Sequence, residues 1–211
     1  PVVASSVLYV VDPFEPMLVP RGAIELPLSV PLPVGFDANR PETWPAIDGR
    51  LEYVRGGLWF MPPCGDDQQD TAADLATELN LWRRANTGFL VGTNEAGMKL
   101  GEDVRAADAA VWRRSDLGPR TGGIRRVPPI LAAEVAGRDD TLEMLRDKSR
   151  WYLDHGVEVV WLLIPSTRSV TVITQDGEAE YGPDETLPQR QSLPGLAPRV
   201  AGLFRQLFDA D

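Results

Sequence analysis

Two charged residues, Glu134 and Lys148, lie inside a strand–helix–strand unit whose other residues ask for burial, and that conflict limits how this chain can fold. The unit runs from Val127 to Pro165. Ile130 to Val135 is a short apolar run broken only by Glu134. Asp139-Asp140-Thr141 supplies N-cap and first-turn residues for a helix to about Leu153, which His155-Gly156 ends. Val157 to Ile164 is a second apolar run, rich in β-branched residues, with Trp161 inside it and Pro165 closing it. A helix between two such strands predicts a βαβ-like crossover with both strands buried.

On a helical wheel, Met144, Leu145, Trp151 and Tyr152 form one apolar face and Lys148 falls near its centre. A buried acid and a buried lysine are costly unless they are paired or bound to something. Two readings stand side by side. One is a structural salt bridge, or a lysine that snorkels to the edge. The other is a catalytic pair at the edge of the sheet.

The rest of the chain reads as an arm and a domain. Residues 1–45 carry prolines at a spacing that prevents long helices and central strands, so short pieces such as Val7 to Val11 and Leu26 to Val30 should lie extended on a surface. Residues 46–211 form the folded domain. Leu51 to Met61 reads as a β-hairpin turning at Arg55-Gly56-Gly57, with Glu52 an isolated and solvated acid on its first arm. A helix follows from about Asp66 to Arg84, acidic at its start and basic at its end, as the helix dipole favours. Gly88 to Val91, Ala96 to Leu100 and Ala106 to Trp112 read as three strands, with turns at Thr93-Asn94 and Gly101-Glu102-Asp103. The last of them holds a second anomalous acid, Asp108, although aspartate is among the poorest strand formers. Arg113 to Arg126 is a basic loop, either solvated or touching phosphate. Ser169 to Thr174 is a strand, and Val200, Leu203, Phe204, Leu207 and Phe208 predict a closing amphipathic helix.

Composition excludes more than it assigns. At 43% hydrophobic content the chain can build a real core, yet no apolar run is long enough to cross a bilayer. No signal-peptide pattern opens the sequence, and the single cysteine, Cys64, rules out an internal disulfide framework; both point to the cytoplasm, with Cys64 a structural residue. A net charge of -10 argues against coating nucleic acid non-specifically, but not against an enzyme that meets DNA through a local basic rim and a metal. Phosphate-binding glycine loops, dinucleotide fingerprints and Gly-x-Ser-x-Gly elbows are absent from the sequence. With one histidine, His155, zinc sites built on several imidazoles are unavailable. What remains is carboxylates and one well-placed lysine, a set suited to Mg²⁺ or Mn²⁺. Phosphodiester hydrolysis uses these parts, because a metal offsets the substrate's charge as well as activating water.

Leu51 to Pro63, the Asp108 strand, Leu131 to Asp140, Lys148 to Tyr152 and Gly156 to Pro165 together resemble the Uma-two family of the PD-(D/E)XK nuclease superfamily. The resemblance covers residues from about 48 to 208. It implies an α/β (α+β) restriction-endonuclease-like core, a mixed central β-sheet flanked by helices. It also implies a Mg²⁺- or Mn²⁺-dependent endonuclease with DNA as substrate. Asp108 and Glu134 would be the metal ligands, Lys148 would act from the helix in place of a strand lysine, and Glu52 would be an auxiliary catalytic acid. Two DNA strands need two sites, which makes a homodimer the natural assembly. The chain departs from the family pattern at Ala107, Ala136, Gly137-Arg138, Asp67 and Met144. The departures keep the acids but alter their neighbours. The alternatives are a degenerate member that binds nucleic acid without turnover, and a protein-interaction domain in which Glu134 and Lys148 are a buried ion pair.

Overall fold

A computed structural model describes residues 27–209 apart from 48, 62, 63 and 139. The expected arm segment Val7 to Val11 and the candidate first-turn residue Asp139 lie outside the described residues. The elements in chain order are β1 (Leu28–Val30), β2 (Arg50–Val54), β3 (Gly57–Met61), α1 (Asp66–Ala85), β4 (Phe89–Leu100) and β5 (Asp103–Arg113). Then follow β6 (Leu131–Val135), α2 (Leu142–Asp154), β7 (Val159–Ile164), β8 (Ser169–Thr174), β9 (Gly177–Tyr181) and α3 (Arg205–Asp209).

The strand–helix–strand unit forms as its pattern demands. β6 and β7 pair in parallel, with α2 as the crossover between them. Thr141 caps α2 by accepting from the Met144 backbone N–H at 3.2 Å, and the His155-Gly156 end follows at φ +92° for Gly156. Every residue of β6 is buried, as a strand covered on both faces requires. Leu131, Ala133 and Val135 face α1, together with Leu75, Leu79, Trp161, Leu163 and Phe204. Ala132 faces α2, with Met98, Trp112, Leu145, Tyr152, Val160 and Leu162. The sheet is mixed, in the order β1-β3-β2-β5-β6-β7-β8-β9, with β4 paired to β5.

Four local expectations change. Gly88 to Leu100 is not two strands and a turn but one strand with a bulge: Thr93 pairs with Ala109 and Ala96 with Ala107, so Asn94 and Glu95 both stand opposite Asp108. A bulge and a turn draw on the same polar residues and positive φ, which Glu95 adopts at 60°. Leu28–Val30, placed in the arm, is extended as expected but pairs with β3 as the edge strand of the sheet. Cys64 is exposed, so it does not serve the core. The closing amphipathic segment is a 3-10 turn over Val200–Phe204 running into α3, with Val200, Leu203, Phe204 and Leu207 buried against α1 as the spacing demanded, while Phe208, the last of the expected stripe, is exposed. The β2–β3 hairpin turns at Arg55 (φ 51°) and Gly56 (φ 79°), the paired positive angles of a tight hairpin. No described helix is long and apolar enough to cross a membrane.

Small residues fill the middle of the sheet. Ala107, Ala109, Ala110, Ala132 and Ala133 are essentially inaccessible, and their lack of bulk lets helices close on both faces. Ala133→Leu should therefore overpack the α1 face and cost about 1–3 kcal/mol, read as a lower urea midpoint at unchanged slope. Ala73→Leu, on the exposed side of α1, should stay within about 0.5 kcal/mol of the parent.

Candidate active site

β5 has β4 along one edge for its whole length, but its other edge is shared. Near its start it pairs with β2, Tyr53 opposite Val104; near its end it pairs with β6, Ala109 opposite Ala133 through Val111 opposite Leu131. Between these contacts the sheet forks, and residues 105–108 of β5 border the gap. A buried peptide there has no neighbouring strand to bond to, and a polar backbone group left unpaired is costly. Side chains take the place of the strand. The Ala106 N–H donates to Glu52 Oε1 at 3.3 Å, and the Ala106 carbonyl accepts from Lys148 Nζ at 2.8 Å.

The same logic places Asp108. One step beyond the Ala109–Ala133 pair, Asp108 and Glu134 stand opposite each other on the α2 face, and both line one cleft of about 240 Å³. Asp108 Oδ2 accepts the Val135 backbone N–H at 2.7 Å, so its carboxylate continues the ladder that the backbone has left. Its other oxygen has Arg50 at 3.4 Å.

Lys148 enters from α2 and is 5% exposed, so it does not snorkel. Its ammonium lies 2.9 Å from Glu134 Oε1, 3.0 Å from Glu134 Oε2, 3.0 Å from Glu52 Oε1 and 2.8 Å from the Ala106 carbonyl. Its three donors are thereby used within the protein. Tyr152, one turn further along α2, donates to Glu134 Oε1 at 2.6 Å. Arg105 donates from Nε to Glu52 Oε2 at 3.0 Å. Gln68 of α1 donates to the Val135 carbonyl at 3.0 Å, tying that helix to the end of β6.

The four residues singled out in the sequence, Glu52, Asp108, Glu134 and Lys148, thus come together in one place. Glu52 corrects one expectation: it is not solvated but 1% exposed, because three cations converge on it. Arg50, Arg105 and Tyr152 carried no expected role. Two of them were reachable by periodicity, Arg50 two residues before Glu52 on one strand face and Tyr152 four after Lys148 on one helix face.

Electrostatically the two fully buried acids differ. Burial pushes the Glu52 carboxyl upward, but Lys148, Arg105 and Arg50 outweigh it and hold the group at about 2. For Glu134 burial prevails and lifts the carboxyl to about 7; Lys148 opposes this, and the Asp108 charge adds to it. Burial and the anions Glu134 and Glu52 push the Tyr152 hydroxyl well above its usual range, so it remains a donor. Glu134 is the acid of the pair that is short of positive charge.

A divalent ion would supply that charge. Mg²⁺ is commonly held by one or two carboxylates and keeps several waters. Asp108 Oδ1 and Glu134 Oε2 each retain acceptor capacity toward the cleft beyond the contacts given above. The donor set therefore fits a hard cation held by two protein carboxylates. Among the described residues no group of three or more His, Cys, Asp and Glu is arranged to hold a metal.

The two shifts act in opposite directions on stability. Glu134 is raised, so its contribution is full below about 4.5 and is lost as pH rises through about 7; Glu52 is depressed, so its contribution is full above about 4.5 and is lost as pH falls toward about 2. The urea midpoint should therefore fall from pH 5 to pH 8 by more in the parent than in Glu134→Gln. Glu52→Gln should flatten the acid limb instead. Lys148→Met, which strands two buried acids, should cost about 3–5 kcal/mol in the same titration.

Comparison with known proteins agrees with this architecture. A crystal structure of a putative nuclease belonging to DUF820 from Anabaena variabilis superposes with a TM-score of 0.71 at 19% identity, covering 79% of this chain and 96% of that one. At that identity the likeness establishes the fold. No curated protein matches the sequence. The family model Uma2, described as a putative restriction endonuclease, matches residues 42–202, most of the chain. This protein belongs to the Uma2 family, a family of nucleases by that description.

Proposed function

We propose that the chain is a divalent-metal-dependent endonuclease that hydrolyses phosphodiester bonds in DNA. Asp108 and Glu134 would hold Mg²⁺ or Mn²⁺, which activates water and offsets charge on the phosphate when bound. The observation that carries this reading is the pairing of those two carboxylates across neighbouring strands, on one face, in a cleft that also contains a buried lysine.

The chain's own residues have separable parts in the reaction. Glu134 is held in orientation from two sides, by the Tyr152 hydroxyl and the Lys148 ammonium. Lys148 would stand beside the attacking water, where its charge would favour the negative charge that grows on the phosphate. Glu52, kept ionised by three cations, holds Lys148 from the far side. It is an auxiliary acid that positions the lysine. Asp108 is fixed by a backbone N–H, so its other oxygen, which has Arg50 at 3.4 Å, keeps one direction. A homodimer would bring two such sites to the two strands of a duplex.

A second reading has one observation in its favour. Three acids (Glu52, Asp108, Glu134) face three cations (Arg50, Arg105, Lys148), and every Lys148 donor is already engaged. A network closed in that way suits a fold kept for binding nucleic acid or protein without turnover.

Supercoiled plasmid incubated with Mn²⁺ or Mg²⁺ separates the two. The nuclease reading expects nicking that falls by on the order of 10²-fold or more in Asp108→Asn and Glu134→Gln, with circular dichroism unchanged. A parent protein that binds DNA yet leaves plasmid intact in both metals would support the second reading and end the first.

A further inference from the structure

Among the cations of the cleft, Arg50 is the one with a buried donor left unpartnered. It lies two residues before Glu52 on β2, so both side chains leave the same face of the strand. Its side chain is 17% exposed. The Nε–H is buried and has no hydrogen-bond partner. The nearest acidic oxygens are Glu52 Oε1 at 3.9 Å from Nε and Asp108 Oδ1, which accepts a long hydrogen bond from the terminal nitrogen at 3.4 Å. Charge-assisted contacts of a settled ion pair close to about 2.7–2.9 Å.

The neighbouring arginine shows what a settled contact looks like in this cleft. Arg105 reaches Glu52 at 3.0 Å, and Glu52 also takes Lys148 and the Ala106 N–H. Glu52 therefore has little left for Arg50, and Asp108 has already given one oxygen to Val135. A buried donor without an acceptor is costly, because it has given up water for nothing. Arg50 carries that cost on a wall of the cleft it shares with Arg55 and Arg105, directly beside the acids.

We propose that Arg50 is the substrate-binding residue of this site, a guanidinium kept under-coordinated so that it can take two oxygens of a nucleic-acid backbone phosphate. A planar fork of N–H groups matches the spacing of two phosphate oxygens, which a lysine in the same place cannot do. The phosphate supplies the acceptors that Glu52 and Asp108 leave short, and it is drawn to the side of the cleft where Asp108, Glu134 and Lys148 meet. This inference rests on the nuclease reading and adds the group that receives the substrate.

The test is the salt dependence of binding to a duplex of about 20 base pairs, followed by fluorescence anisotropy in EDTA between about 50 and 200 mM KCl. Arg50→Met should weaken binding to all sequences alike and reduce the slope of log affinity against log salt by about one. Arg50→Lys should keep the slope and lose about fivefold or more in affinity, because charge remains while the fork is gone. Arg84→Met is the control, since Arg84 is exposed and about 24 Å along α1 from Gln68. A merely structural Arg50 would alter the thermal midpoint without moving the slope.

A parent slope in folded Arg50→Met overturns the proposal and leaves the nuclease reading standing. Should Arg50→Met fail to fold, Arg50→Lys decides, and parent affinity there overturns it equally. A parent protein that binds neither duplex nor single-stranded DNA, in EDTA or with Ca²⁺ in its place, removes the nuclease reading itself, and this inference with it.

Discussion

The backbone polar groups of one residue, Ala106, dictate much of this structure. It sits where β5 has parted from β2 and has not yet met β6, too deep for water to satisfy it. Its N–H and carbonyl must still find partners. Glu52 supplies one and Lys148 the other. Bringing these two charges into the interior then creates a second demand, since a buried charge must be compensated. Glu134, Arg105, Arg50 and Tyr152 follow from that demand. The polar cluster is thus the sheet's own solution to its fork, and the cleft is the space the fork leaves open.

Structural necessity and chemical use are not rivals here. Lysine and glutamate are needed to close the backbone account at Ala106, yet the two buried acids are served unequally: three cations lie within 4 Å of Glu52 and one, Lys148, within 4 Å of Glu134. The asymmetry leaves one carboxylate, beside a second on the next strand, with an unmet demand for positive charge.

What could be read from the sequence follows the physics of each residue. Glu134 and Lys148 were visible because their burial is dictated by immediate neighbours, the apolar run of β6 and the apolar face of α2. Asp108 was visible for the same reason. Glu52 was misread on its own residues as a solvated acid because the cations that hold it come from elsewhere in the chain, Arg105 lying 53 positions away; only the family resemblance drew it into the site. Arg105 was invisible in the same way. The Thr93-Asn94 turn became a bulge because local chemistry cannot tell a reversal from an extra residue. Only the pairing with β5 decides, and that bulge lies directly opposite Asp108. Cys64 shows the reverse case: having no obvious chemical role did not make it a core residue.

The ladder of contacts around Lys148 also has an order in time written into it. Glu134, Lys148 and Tyr152 all belong to one crossover, 14 and 18 positions apart, whereas the Glu52–Arg105 contact spans 53. Loop-closure entropy makes the longer connection dearer than the 14-residue one by about 1 kcal/mol. The crossover can therefore knot its own lysine and glutamate first, and the β2–β3 hairpin arrives as a clasp on a half-built centre. Until it docks, Ala106 has no acceptor for its N–H and Arg50 is not in place. Assembly of the hairpin and completion of the cleft are a single event.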